Sequence, residues 1–114
     1  MKICFYNKSI EDLFENDKKL QKKYGINVAE NIRKIDDILE NAETIRELND
    51  PAFVKYRFHE LKGDRKYQWA FVIVHTSGLR IIVFLLDLDK KIIRDISKEK
   101  CVYVQIKEIG DYHD

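Results

Sequence analysis

The sequence predicts an α+β fold of order β-α-α-β-β-β-β, an antiparallel sheet with a helical hairpin packed on one face. Two observations carry this. Up to Ala42 the apolar residues recur at helical spacing, and from Tyr56 onward they alternate or run together as in strands. No repeat, low-complexity tract or Pro/Gly-rich linker interrupts the 114 residues, a length that supports one core, so residues 1–114 read as a single domain.

The elements follow in order. Residues 2–6 (KICFY) form a short apolar run with β character. Ser9 precedes IEDLF, an N-cap followed by acids in the first turn. Ile10, Leu13, Phe14, Leu20 and Tyr24 then share a helical face, and Gly25 is a natural stop. Asn27 is placed to cap a second helix, whose Val28, Ile32, Ile35, Leu39 and Ala42 make one buried stripe. The two-residue break at Gly25 and Ile26 makes these helices a hairpin. Residues 44–51 read as a loop or short helical turn ending at the single proline. Residues 56–61 alternate as a strand, Gly63 and Asp64 supply a turn, and residues 68–75 are rich in strand formers. Thr76, Ser77 and Gly78 have turn composition, and residues 79–86 are apolar on both faces, hence central. Residues 87–100 read as a loop carrying a helical turn, with Ile92, Ile93 and Ile96 as its apolar positions. The last strand follows, with Val102, Val104, Ile106 and Ile109 as its apolar positions.

Hydrophobic residues at 45% and charged residues at 36% describe an ordinary globule. No apolar run reaches the roughly 20 residues that span a bilayer, and the first residues lack the apolar core of a secretory signal, so the expected location is cytoplasmic and no membrane is expected as a partner. Cys4 and Cys101 stand in apolar surroundings without C-x-x-C spacing and read as buried free thiols. The net charge of +1 gives no global sign of a polyanionic partner. Its distribution does: residues 1–50 carry 9 Lys/Arg against 11 Asp/Glu, residues 51–80 carry 6 against 2, and residues 81–114 carry 6 against 7. A local basic excess attracts a polyanion even on a near-neutral molecule.

His59, His75 and His113 form no metal-ligand spacing with one another or with the cysteines, so no metal is expected. G-x-S-x-G, Walker A and G-x-G-x-x-G patterns are lacking as well, and no cofactor is expected. Metal-free RNA cleavage has other needs. A base must take the ribose 2′-OH proton, an acid must protonate the leaving 5′-oxygen, and cations must hold the charge that builds on the phosphate. His59, Lys62, Arg65, Lys66, Arg80 and His113 are the residue types for those roles, provided that the fold brings them together.

Three separated segments carry a family resemblance. FHELKGDRKYQW at 58–69 resembles the H-x-L-K-G-D-R-x-G-x-W segment of HigB-type toxins, the plasmid maintenance system killer proteins, with Tyr67 where that pattern has Gly. LRIIVF at 79–84 resembles their W-R-I-x-F strand, and IGDYH at 109–113 their terminal [IV]-x-D-Y-H. The helix pair and the connection through Ala42, Ile45 and Leu48 agree in order and length, so the likeness spans nearly the whole chain. It implies a RelE/ParE-like fold and the toxin of a type II toxin–antitoxin system. It further implies a metal-independent, ribosome-dependent mRNA endonuclease acting in the ribosomal A site, held inactive by a cognate HigA-like helix-turn-helix antitoxin. Contact with DNA would come only through the antitoxin complex.

Roles follow residue by residue from that likeness. His59 would be a general base or a phosphate ligand, Lys62 would stabilise the transition state, and Arg80 would clamp the scissile phosphate. His113 would act as acid or base, Tyr112 would stack on a base, and Asp111 would orient an imidazole or bind RNA. Arg65 and Lys66 would bind RNA. Taken without the likeness, His59 is a half-buried strand histidine, Lys62, Arg65 and Lys66 are solvated turn charges, and Trp69 is core. The alternative function is a non-catalytic binding protein on the same fold, a gyrase-type inhibitor or a degenerate toxin that only binds its antitoxin.

Overall fold

Asn7, not Ser9, starts the first helix. Its side-chain oxygen accepts the Ile10 amide at 3.0 Å, the bond that an N-cap makes. The structure, a computed structural model, describes residues 1–44, 55–74, 77–95 and 100–111. Strand β1 (Lys2–Phe5) leads into α1 (Lys8–Phe14). One continuous helix to Tyr24 was the expectation; instead Asn16 offers a second cap, accepting the Lys19 amide at 3.1 Å, and α2 (Asp17–Tyr24) starts afresh. Gly25, at φ +92°, ends α2 and opens α3 (Ile26–Asn41). Asn27 therefore lies inside α3 and is not its cap. Of the expected stripe, Ile32, Ile35, Leu39 and Ala42 are buried and Val28 half-buried, with Ala29 added.

Strand β2 is only His59–Glu60, shorter than the alternation over 56–61 implied, because Arg57 turns the backbone to φ +43°. A 3-10 turn at Gly63–Arg65 joins β2 to β3 (Gln68–Val72), with Gly63 at φ +66° and Tyr67 at φ +69°. Strand β4 (Leu79–Leu86) follows, then a tight turn in which the Asp87 carboxylate accepts the amides of Asp89 and Lys91, then β5 (Tyr103–Asp111). Beyond that turn Ile93 is buried and Ile92 exposed. The expected loop at 44–51, with Ile45 and Leu48, lies outside the described residues except for Thr44. So do His75, Thr76, Ile96, Tyr112 and His113.

The five described strands form one sheet in the order β1-β5-β4-β3-β2. From β2 to β5 it is the expected antiparallel meander, but β1 pairs parallel with β5, so the sheet is mixed. The physical reason is the crossover. The chain leaves β1 for three helices that cover one face of the sheet, and the last strand returns beside the first in the same direction. Strand β4 lies between β3 and β5, which accounts for its burial on both faces.

The core fills the space between helices and sheet, where Phe14, Leu20, Ile32, Ile35 and Leu39 meet Phe71, Ile81, Val83, Leu85, Val104 and Ile106. Each such buried side chain contributes on the order of 1.5–3 kcal/mol of hydrophobic free energy. Asn31 ties α3 to the sheet by donating to the Ile73 carbonyl at 3.2 Å. Arg33 staples α3 to the shorter helices: it reaches Asp17 at 3.1 Å, donates to the Phe14 carbonyl, and lies over the Phe14 ring. Both cysteines are free, and burial pushes the Cys101 thiol up to about 11. Among the described residues no helix is long and apolar enough to cross a membrane.

One irregularity sets the faces of β5. Ile82 faces Glu108 while the next residue, Val83, faces Ile106, so Lys107 is an extra residue, a β-bulge. Before the bulge Val104 and Ile106 point into the core; after it Ile109 does, and Glu108 turns to the other side.

Candidate functional site

The sheet face turned away from the helices carries the polar residues. Residues directly opposite across a ladder share a face, so the register gives rows on this open side. One row is His59, Ala70, Ile82 and Glu108, and the next is Val72, Arg80 and Gly110. A small apolar cluster of Leu61, Ala70 and Ile82 underlies them. His59 on β2 and Arg80 on β4 thus lie in adjacent rows of one surface, separated only by β3.

The His59 ring is half-buried, and Nδ1 is 2.5 Å from the Arg57 carbonyl oxygen. A carbonyl only accepts, so Nδ1 carries a proton, and in the neutral ring Nε2 then holds the lone pair of a base. That Nε2 is shielded from solvent. The tight Arg57 turn is therefore what sets the tautomer.

Arg80 is half-buried and folded toward its own turn, with Nη1 donating to the carbonyls of Ser77 at 2.9 Å and Leu79 at 3.2 Å. Its Nε is buried and has no hydrogen-bond partner among the described residues. A buried donor left so costs about 1–3 kcal/mol, a cost that a bound anion would remove. Gly110, directly opposite, offers no side chain, and the Glu108 carboxylate lies 3.7 Å from where its Cβ would stand.

Arg65 behaves otherwise than a solvated turn charge. It reaches over the open face to the Glu108 carboxylate at 2.6 Å and to the Gln68 side-chain oxygen at 3.4 Å. Lys107 donates to that same Gln68 oxygen at 3.2 Å. Gln68 is buried, and its one carbonyl oxygen serves two cations, so this bridge pins the 3-10 turn to β5. Lys62 and Lys66 flank the turn and are exposed; the Lys66 ammonium lies 5.2 Å from the Tyr67 ring centre, with the Arg94 guanidinium 5.4 Å from it.

Asp111 lies apart from these residues. It is paired with Leu79, a residue packed against the helix-side core, so it occupies the opposite face from Arg80. Tyr112 and His113 lie outside the described residues. Glu108, Gln68 and Lys107 were not singled out from the sequence. The one available sign was the spacing of three between Ile106 and Ile109, which breaks strict alternation and marks the bulge. Among the described residues no three His, Cys, Asp or Glu side chains gather as a metal site. Comparison of the sequence with protein-family models and with curated proteins finds no match.

Proposed function

We propose that the chain is the toxin of a type II toxin–antitoxin pair, a HigB-type, metal-independent, ribosome-dependent mRNA endonuclease on a RelE/ParE-like fold. The observation that carries this reading is the placement on one face of the sheet of His59, whose Nδ1 bonds the Arg57 carbonyl, and Arg80, whose buried Nε has no partner among the described residues. The three motif likenesses along the chain supply the reaction.

In this reading a basic imidazole takes the proton of a ribose 2′-OH, whose oxygen attacks the adjacent phosphorus. The P–O5′ bond breaks, the leaving oxygen takes a proton from the acid, and the products are a 2′,3′-cyclic phosphate and a 5′-hydroxyl. Arg80 holds the non-bridging oxygens as charge builds, in the role of a preorganised clamp. Lys62 adds a second cation from the turn. His59 and His113 divide the base and acid roles, Tyr112 stacks on a base of the message, and Asp111 orients a neighbouring imidazole or binds RNA. Arg65 and Lys66 contact the strand, Arg65 by exchanging Glu108 for a phosphate. The cognate helix-turn-helix antitoxin covers this face until it is removed.

Induced expression without that partner should arrest growth, and mapping mRNA 5′ ends should reveal new cuts. Arg80→Ala or His113→Ala should lower cutting by about 10²-fold or more, the usual range for a lost transition-state contact or acid–base group. Undiminished cutting in both variants would sink the mechanism. A second reading, a binding protein without catalysis, is favoured by the position of Asp111 away from Arg80 and by the engagement of Arg65 with Glu108. It predicts an arrest indifferent to these substitutions, with intact messages.

A further inference from the structure

Strand β1 ends at Phe5, paired with Ile106, and its last ladder bond runs from the Tyr6 amide to the Ile106 carbonyl. Strand β5 continues for five more residues while the chain turns away into α1, so a cleft of about 610 Å³ opens between the helices and the outer edge of β5. Tyr6, Asp12, Lys19, Lys23, Lys107 and Glu108 line it. This volume falls in the range of ordinary small-ligand sites.

Its charge is not balanced from within. Asp12 is held by Lys8 at 3.3 Å and Glu108 by Arg65 at 2.6 Å, both cations standing outside the lining. Lys19, Lys23 and Lys107 are ion-paired with no carboxylate among the described residues. The lining acids are thus neutralised, while the charges of the lysines are met only by neutral groups, Lys107 by the Gln68 oxygen at 3.2 Å and Lys23 by the Tyr24 ring at 5.4 Å. Beside them Tyr6 is 55% exposed and rests on Phe84, ring centres 6.3 Å apart, with the Lys107 ammonium 5.7 Å from that second ring. An aromatic platform next to uncompensated lysines is the combination that unpaired nucleotides bind, the base on the ring and the phosphates on the cations.

We infer that this cleft is a docking subsite for an unpaired nucleotide of single-stranded RNA, with the base stacked on Tyr6 and the flanking phosphates held by Lys19, Lys23 and Lys107. The inference rests on the RNA-cutting reading only for the origin of the strand. Lys107 and Glu108 belong to the cleft and also to the open face that bears Arg80, one strand away, so an RNA crossing β5 touches both. The cleft thereby fixes where along the strand the cut falls. A single exposed tyrosine makes it tolerant of base identity, since every base has a face to stack.

The test uses the full chain and a labelled single-stranded oligoribonucleotide methylated at every 2′-oxygen, which cannot be cut by 2′-OH attack, with binding followed by fluorescence anisotropy. Lys19→Glu combined with Lys23→Glu should weaken binding at least tenfold and flatten the slope of log affinity against log salt by about 1.4, from two lost phosphate contacts on a single strand. Tyr6→Ala should weaken it by about fivefold to a hundredfold, and Tyr6→Phe should restore it. Circular-dichroism melts of the same variants, all at exposed positions, check that each is folded.

No binding by the wild-type chain, or binding unchanged in the variants, overturns the inference. Loss with the lysines but not with Tyr6→Ala also overturns it, since any polyanion would behave so. Equal Tyr6-dependent binding of an acidic peptide would assign the cleft to a protein partner and overturn it too. Tyr6-dependent RNA binding without cut messages after induction would leave the inference standing and remove the cutting reading. Cut messages with unaltered binding in the cleft variants would do the reverse.

Discussion

At Tyr67 the backbone takes φ +69°, a conformation that costs a residue with a Cβ about 1–2 kcal/mol. Two cations, Lys66 and Arg94, lie over its ring and offset part of that cost. Truncating the ring in two ways separates the effects. Tyr67→Gly and Tyr67→Ala lose the same ring contacts, but only glycine is relaxed there, so the Gly variant should be the more stable by about 1 kcal/mol, or about 4 °C in Tm. Equal melting of the two would show that the turn does not hold its left-handed geometry in solution. The backbone also explains why the resembling pattern has Gly at this place. Residue chemistry at the turn was therefore legible in the sequence: Gly63 and Tyr67 stand where the chain bends. The partner of Arg65 was not legible, because Glu108 lies 43 positions away and nothing local links them.

Periodicity and capping account for the helices to different degrees. The stripe on α3 was readable because a 16-residue amphipathic helix repeats its signal over four turns. The break between α1 and α2 was not, since Asn16 offers an alternative cap that a face-counting argument passes over. On α3 itself Asp36 is a test of electrostatics. Its carboxyl is raised above the ordinary value chiefly by burial, with Glu40 adding to the rise and Arg33, at 3.4 Å, opposing it. A carboxyl whose folded pKa is raised binds its proton more tightly in the folded state. It therefore favours folding in acid, and that contribution is lost as pH rises from the unfolded value through the raised one. Relative to wild type, Asp36→Asn should gain stability as pH rises across this window. Urea titrations of both proteins at several pH values measure it, and a constant difference would contradict the burial of this charge.

Across the whole molecule the hidden feature was the pairing of β1 with β5, which joins residues about a hundred positions apart and makes the sheet mixed. Local pattern identifies both strands but carries no information on which edge the first one takes. The same pairing concentrates the fold on β5, which is bonded to β1 on one side and β4 on the other. Ile106, fully buried at that junction, should cost about 2–5 kcal/mol when changed to Ala. Ile26→Ala, at a 61% exposed position, should stay within about 0.5 kcal/mol. Denaturant midpoints compare the two, and similar values would mean that β5 is not the centre of the cooperative unit. The extra residue at Lys107 gives this strand a further property. It lets two lengths of β5 whose apolar residues are out of step, Val104 and Ile106 before it and Ile109 after it, bury on the same side. Closing the bulge with Lys107 kept in the ladder would set Lys107 opposite Ile82 and exchange the sides of Glu108, Ile109, Gly110 and Asp111 at one stroke, withdrawing the carboxylate that holds Arg65 and bringing the Asp111 carboxylate onto the side of Arg80. A slip of register by one residue, rather than substitution at several positions, would then be the shortest route by which relatives of this chain acquire or lose the chemistry of the open face.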